Sequence, residues 1–125
     1  MSFLDKCLIL SALLCFTILS VGYTSEGIFA CDNSPVAQAK SPDGRFVAEA
    51  LLVQCGATTS DAVWLLLGKT GAKLDEDRDR VAVFEAESIS LRWEASQLVV
   101  GHKGAKAFRA DEEAKGVHIE YLSDQ

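Results

Sequence analysis

The thiols of Cys31 and Cys55 are the most reactive side chains outside the apolar N-terminal segment. A cysteine can act as a nucleophile, ligate a metal or form a disulfide, depending on its surroundings and on the redox compartment. Cys55 begins the sequence CGATT, whose small residues and two hydroxyls are typical of a tight turn that bonds its own backbone. Two hypotheses follow for this segment: a structural loop held by a disulfide, and a small Cys-centred enzyme or ligand-binding site. The residues of the candidate interaction loop are Gly56, Thr58, Thr59 and Asp61.

The cysteine count favours a disulfide between Cys31 and Cys55. The other two cysteines, Cys7 and Cys15, lie within the apolar N-terminal segment, which leaves an even pair beyond it. An even pair in an oxidising compartment is expected to form a disulfide. A bond that closes a loop of roughly 25 residues stabilises a domain by about 3 to 4 kcal/mol in the chain-entropy model.

Catalytic and metal-binding motifs are otherwise lacking in the sequence. It contains no GxSxG elbow, no SxxK and no CxxC, and His102 and His118 stand apart from the ligands that a structural metal would need. A pairing of Cys55 with one of these histidines is a spatial question that the sequence leaves open. We predict no catalytic residue, no metal and no cofactor.

An acidic run resembles the start of a calcium loop of the EF-hand type. Asp75, Asp77 and Asp79 have the alternate spacing of that loop, in which carboxylates converge on one ion. Arg80 stands where the loop requires glycine, and Ala86 stands where it requires a bidentate glutamate. We therefore expect a solvated loop between strands.

A second partial motif, Gly68-Lys69-Thr70, matches the last three residues of a phosphate-binding loop. The full motif needs a glycine where Val63 stands, and the intervening Trp-Leu-Leu-Leu belongs in a strand. A hairpin turn from Gly68 to Gly71 explains these residues better than nucleotide binding does.

The N-terminal segment directs the chain to a membrane. Residues 7–25 carry no charge, and as a helix they would span about 28 Å, close to the thickness of the hydrocarbon core. Three fates are compatible with the sequence: cleavage after Gly22, retention as an anchor, and lipidation of Cys31 after the lipobox-like Ile28-Phe29-Ala30. Lipidation of Cys31 would exclude the disulfide. We divide the chain into a signal peptide or anchor, residues 1–30, and an exported domain, residues 31–125.

The charge of the chain excludes one class of partner. Twelve Lys and Arg residues face 18 Asp and Glu residues, which gives a formal net charge of −6. Proteins that bind nucleic acid through counterion release carry the opposite sign. We expect no nucleic acid partner.

The exported domain is predicted to consist of strands. Residues 45–54 and 62–67 are apolar on both faces, which is typical of central strands. Ala95 and Ser96 form a short connection that suits a hairpin. Residues 32–40 are predicted to be a polar linker, and residues 111–115 a helical turn. The further predicted strands lie near residues 81–84, 89–94, 98–100, 107–108 and 117–121.

These elements predict an all-β fold, a small antiparallel meander or sandwich of about six or seven strands after an N-terminal hydrophobic helix. The domain is too short for a propeller, which needs four or more blades of four strands.

The sequence SPDGRFVA, residues 41–48, resembles the opening of one propeller repeat of the TolB type. Together with CGATT and the following strand, it is similar to small bacterial exported or lipoprotein-like proteins to which no activity is assigned. In that family CGATT is followed by Gly and then Thr or Ser, whereas Ser60, Asp61 and Ala62 stand here. The resemblance implies an all-β fold and a location in the cell envelope, but no activity.

We therefore expect a non-enzymatic, exported envelope protein that acts by protein–protein interaction. Its partner would be another envelope protein or a second copy of the chain, and its N-terminal segment would contact the membrane. The alternatives are the Cys-centred enzyme or ligand-binding protein and an accessory subunit of a membrane complex that retains its N-terminal helix.

Overall fold

Nine strands form two sheets in a computed structural model that describes residues 31–56 and 58–125. The predicted leader, residues 1–30, lies outside the described residues. The larger sheet has the strand order β1-β2-β3-β4-β7 and the smaller sheet has the order β5-β6-β9-β8. The strands are β1 Asp32–Lys40, β2 Phe46–Gln54, β3 Ala62–Lys69, β4 Arg80–Glu85, β5 Ser90–Glu94, β6 Gln97–Gly101, β7 Lys106–Ala110, β8 Glu113–Ala114 and β9 Val117–Leu122.

The two sheets pack face to face over one hydrophobic core. On the inner face of the larger sheet, Ala48 lies opposite Leu67, and Ala50 lies opposite Leu65. Small side chains on β2 thus leave room for large ones on β3, which allows dense packing. The core residues that the smaller sheet contributes, together with Ile89 just before β5, are Leu98, Val100, Val117 and Ile119.

Both faces of β2 and β3 carry buried apolar side chains. On the outer face, Leu51, Val53 and Leu66 are each at most 6% exposed. The Arg80 guanidinium lies over the Trp64 ring, 4.5 Å from its centroid, on this same face. The prediction that these two segments are central strands is confirmed.

The predicted hairpin at residues 95–96 is also confirmed. Glu94 pairs with Gln97, so two residues connect β5 to β6. Ala95 has a φ of 54°, because the turns that suit the right-handed twist of a two-residue hairpin require positive φ.

The SPDG segment forms the predicted turn before β2. The Gly44 amide donates to the Ser41 carbonyl at 2.9 Å, and Gly44 has a φ of 76°. The buried Ser41 hydroxyl donates to Asp43 at 2.6 Å and accepts from the Phe46 amide at 3.0 Å. These bonds fix where β2 begins, and the Ser41 hydroxyl holds the pKa of the Asp43 carboxyl below its ordinary value.

The prediction of a polar linker at residues 32–40 is wrong, because these residues form strand β1. Its polar side chains point to solvent, whereas Ala37 packs against the core. An edge strand needs few apolar residues, since one face and one edge can meet water. The backbone pairing with β2, from Asp32 opposite Gln54 to Lys40 opposite Val47, therefore decides its structure.

The predicted helical turn at residues 111–115 is wrong as well. Glu113 and Ala114 form the short strand β8, and Lys115 and Gly116 turn the chain into β9 with φ angles of 54° and 79°. The sandwich prediction is confirmed, with β1 and β8 as additional strands. A pure meander is excluded, because β6 and β9 pair in parallel.

One corner of the sandwich is closed by a hydrogen bond between the sheets. The indole N–H of Trp93 on β5 donates to the Ala39 carbonyl on β1 at 3.0 Å, and the two strands lie against each other. At the opposite corner, the chain itself passes from β7 to β8. The described residues include no helix long and apolar enough to cross a bilayer.

We expect Trp93→Phe to lower the free energy of unfolding by about 1 to 2 kcal/mol, because it leaves the Ala39 carbonyl without its donor. Urea unfolding checks this, with Trp64→Phe as the matched control. The control removes the same volume but no hydrogen bond to the described residues, and it keeps a ring beneath Arg80. Equal losses in the two variants would contradict the proposed closure of this corner.

Candidate functional site

Cys31 and Cys55 lie within disulfide bonding distance, with their sulfur atoms 2.04 Å apart. The bond ties the residue before β1 to the residue after β2, and both cysteines are exposed. In this state Cys55 has no free thiol for nucleophilic attack. A lipid thioether on Cys31 and this disulfide exclude each other.

The predicted interaction loop follows Cys55 and is exposed at Gly56 and from Thr58 to Ser60. The Thr59 amide donates to the Gly56 carbonyl at 3.3 Å, so the loop turns on its own backbone as its composition predicts. Gly56 has a φ of 128°, a conformation that side chains disfavour. The Gln54 side chain donates to the Asp61 carboxylate at 3.4 Å, which joins the two ends of the loop.

The loop forms one wall of a groove of about 400 Å³, and the other wall comes from β4 and β7. Its lining combines three hydroxyl groups, two carboxylates and one aromatic ring. The sequence pattern indicates the loop but not the opposite wall. The lining residues are Thr58, Thr59, Ser60, Asp61, Ala62, Glu85 and Phe108.

Phe108 is the largest exposed apolar side chain of the described residues. It is 59% exposed, whereas Val36, the other large apolar side chain at the surface, is 41% exposed. Val83 pairs with Arg109 and Phe84 with Ala107, so Phe108 is the extra residue of a β-bulge in β7. Bulges redirect side chains at sheet edges, and here the bulge accompanies a ring that reaches the groove. The sequence signal for this position is a single aromatic residue, Phe108, between the charged residues Lys106 and Arg109.

The charged residues of β7 have partners within the described chain. The Lys106 ammonium lies 5.1 Å from the centroid of the Phe108 ring. The Arg109 guanidinium donates two hydrogen bonds to Asp111, at 3.1 and 2.8 Å, and this raises the pKa of Arg109 above its ordinary value. The Asp111 carbonyl in turn accepts from the Tyr121 hydroxyl at 2.7 Å, which fixes the end of β7 against β9.

The prediction of a solvated acidic loop is wrong for Asp79, whose side chain is only 3% exposed. Arg78 donates to this carboxylate at 3.2 and 3.3 Å, the Asp75 amide donates at 2.8 Å, and Lys115 forms an ion pair with it. Lys115 also donates to the Leu67 carbonyl at 2.8 Å. These bonds, led by those from Arg78, outweigh burial and hold the pKa of Asp79 well below its ordinary value.

The acidic run therefore anchors the connection between β3 and β4 and does not assemble a calcium loop. Asp75 uses its carboxylate to accept the amides of Asp77 and Arg78, at 2.9 and 2.7 Å. Nowhere in the described ranges do three or more His, Cys, Asp or Glu side chains group as metal ligands. His102 stacks on Phe84 with ring centroids 5.3 Å apart, and His118 is exposed.

Another cleft, of about 650 Å³, lies away from this groove, between β1, β2 and the connection after β3. Its lining combines two lysines, Lys40 and Lys73, with one carboxylate, Glu49, and it contains no aromatic ring. We regard the smaller groove as the better candidate, because it joins an exposed aromatic anchor to an open sheet edge.

Comparison of the chain with protein-family models, with curated proteins and with solved structures gave no match.

We expect Asp79→Asn to lower the free energy of unfolding at pH 7 by about 1 to 3 kcal/mol, because Lys115 then loses its buried counter-charge. The folded pKa lies below the unfolded value of about 3.9, so the ionised group stabilises the fold fully above that value. This contribution is lost as the pH falls from about 4 towards the folded pKa. Urea unfolding at several pH values should show the gap between wild type and variant closing below about pH 4.

The matched control is Asp77→Asn, since Asp77 is 94% exposed and lies 3.9 Å from Arg80. It should change the free energy of unfolding by less than about 0.5 kcal/mol. A gap for Asp79→Asn that stays constant down to pH 2 would show that its charge does not stabilise the fold.

Proposed function

We propose that this protein is exported to the cell envelope and acts there by protein–protein interaction, with another envelope protein or with a second copy of itself, and without catalysis. The observation that carries the proposal is Phe108, a 59% exposed ring on an open edge strand and beside the predicted interaction loop. Exposed aromatic side chains at the rim of a groove are common anchors of protein interfaces. The three hydroxyl groups and two carboxylates of the groove offer a partner polar contacts around that anchor.

The cysteines and the N-terminal sequence support export. Disulfides persist in oxidising compartments, so the bond between Cys31 and Cys55 is consistent with a location outside the cytoplasm. The uncharged segment of residues 7–25 and the resemblance of SPDG and CGATT to small exported bacterial proteins favour the envelope. The disulfide also favours a structural use of Cys55 over a catalytic one.

The test places a photoreactive phenylalanine at position 108 of the full chain, expressed in cells that export it. Because position 108 lies at the proposed interface, irradiation should give a specific crosslinked product of higher mass. The matched control is the same probe at position 36, the other exposed apolar residue, on the far edge of the same sheet. Equal products at both positions, or none at 108, would contradict the proposal.

Mass analysis of the same purified sample, combined with cell fractionation, tests the disulfide and the export. We expect a mature chain that lacks two protons at Cys31 and Cys55 and is recovered from the envelope fraction. A free thiol at Cys55 in the native, unreduced protein, or a diacylglyceryl adduct on Cys31, would contradict the structural disulfide.

A further inference from the structure

We propose that the partner at β7 is a second copy of this chain. In this arrangement the two β7 strands pair antiparallel with Phe108 at the twofold axis, which joins the two five-stranded sheets into one. The inference rests on the proposed function, because it names the partner of the same surface. It follows from which sheet edge is open and from the order of side chains along that edge.

Of the sheet edges, that of β7 is the one best suited to pairing. β1, at the other edge of the larger sheet, contains Pro35, and proline cannot donate to a new strand. β5 lies against β1 at the closed corner, and β8 has only two residues. All five residues of β7 are exposed, and β4 is its one neighbour among the described strands. The outward backbone groups of β7 can therefore accept another strand.

The sequence of β7 is self-complementary in this register. With Phe108 opposite Phe108 of the second copy, Lys106 lies opposite Ala110, and Ala107 lies opposite Arg109. No like charges then face each other directly, and the two rings form a cross-strand aromatic pair. A register centred on Arg109 would instead place two guanidinium groups opposite each other, which is unfavourable.

The charges that usually protect a sheet edge are already engaged within one copy. Lysine and arginine on an edge strand discourage pairing because a second strand must bury or face them. Here Asp111 neutralises Arg109, and Lys106 lies over the Phe108 ring. The bulge at Phe108 increases the local twist, which limits the pairing to a short segment. A twofold pairing of β7 with itself uses the same edge on both copies, so it closes as a dimer and does not extend further.

The test is disulfide crosslinking of single cysteine variants of the mature, oxidised protein. Opposite residues of an antiparallel pair lie about 4.5 to 5.5 Å apart at Cα, which a disulfide can bridge. We expect Phe108→Cys to form a covalent dimer by itself under mild oxidation. We also expect Lys106→Cys mixed with Ala110→Cys to give a crosslinked heterodimer several-fold more efficiently than either variant alone.

Two controls keep the result specific. The parent protein without an added cysteine measures any crosslinking through its own thiols, and Val36→Cys tests an exposed position on the other edge of the sheet. In sedimentation experiments the parent should dimerise reversibly, and Phe108→Asp should weaken dimerisation by about tenfold, or about 1.4 kcal/mol. Val36→Asp should leave dimerisation unchanged.

The outcomes separate this inference from the proposed function. Suppose that the protein stays monomeric, that Phe108→Cys forms no disulfide-linked dimer, and that the photoreactive probe at position 108 labels a different envelope protein. This result would overturn self-pairing but would support the proposed binding function. Strong crosslinking of Phe108→Cys without the mixed Lys106 and Ala110 product would overturn the register. A monomer whose probe at 108 labels nothing would overturn both.

Discussion

The structure depends on the burial of the inner face of a five-stranded sheet beneath a sheet of four strands. Ala48 and Ala50 on β2 and Leu65 and Leu67 on β3 provide a dense face, which the apolar side chains of β6 and β9 cover. The hydrogen bond from Trp93 to Ala39 closes one corner, and β7 forms the open edge of the larger sheet.

The Cys31–Cys55 disulfide and the ion pairs of Asp79 stabilise the connections between strands and not the hydrophobic core. The disulfide ties the start of β1 to the end of β2 and shapes the loop that faces Phe108. Asp79 joins the connection between β3 and β4 to Lys115, which follows β8 in the chain. The disulfide and the ion pair therefore fix segments at the border of the sandwich. The disulfide holds the start of the loop that faces Phe108.

The sequence predicts those elements whose stability is local or whose apolar pattern is strong. The continuous apolar runs of β2 and β3 and the two-residue hairpin at Ala95 belong to this class, as does the pairing of the two cysteines. β1 was missed because an edge strand derives its structure from the neighbour that it pairs with. The burial of Asp79 could not be predicted because its partner Lys115 is distant in sequence. The position of Phe108 at the groove could not be predicted because it depends on the bulge in β7 and on the loop that faces it.

The interface that we infer pairs the open edge of β7 with the same strand of a second copy. Hydrogen–deuterium exchange measured at low and high protein concentration tests it most directly, because pairing protects backbone amides that a free edge leaves to solvent. We expect protection across Lys106–Ala110 to rise with concentration in the parent and to stay low in Phe108→Asp, with no change across Asp32–Lys40 in either protein. Exchange in β7 that does not vary with concentration would contradict the account.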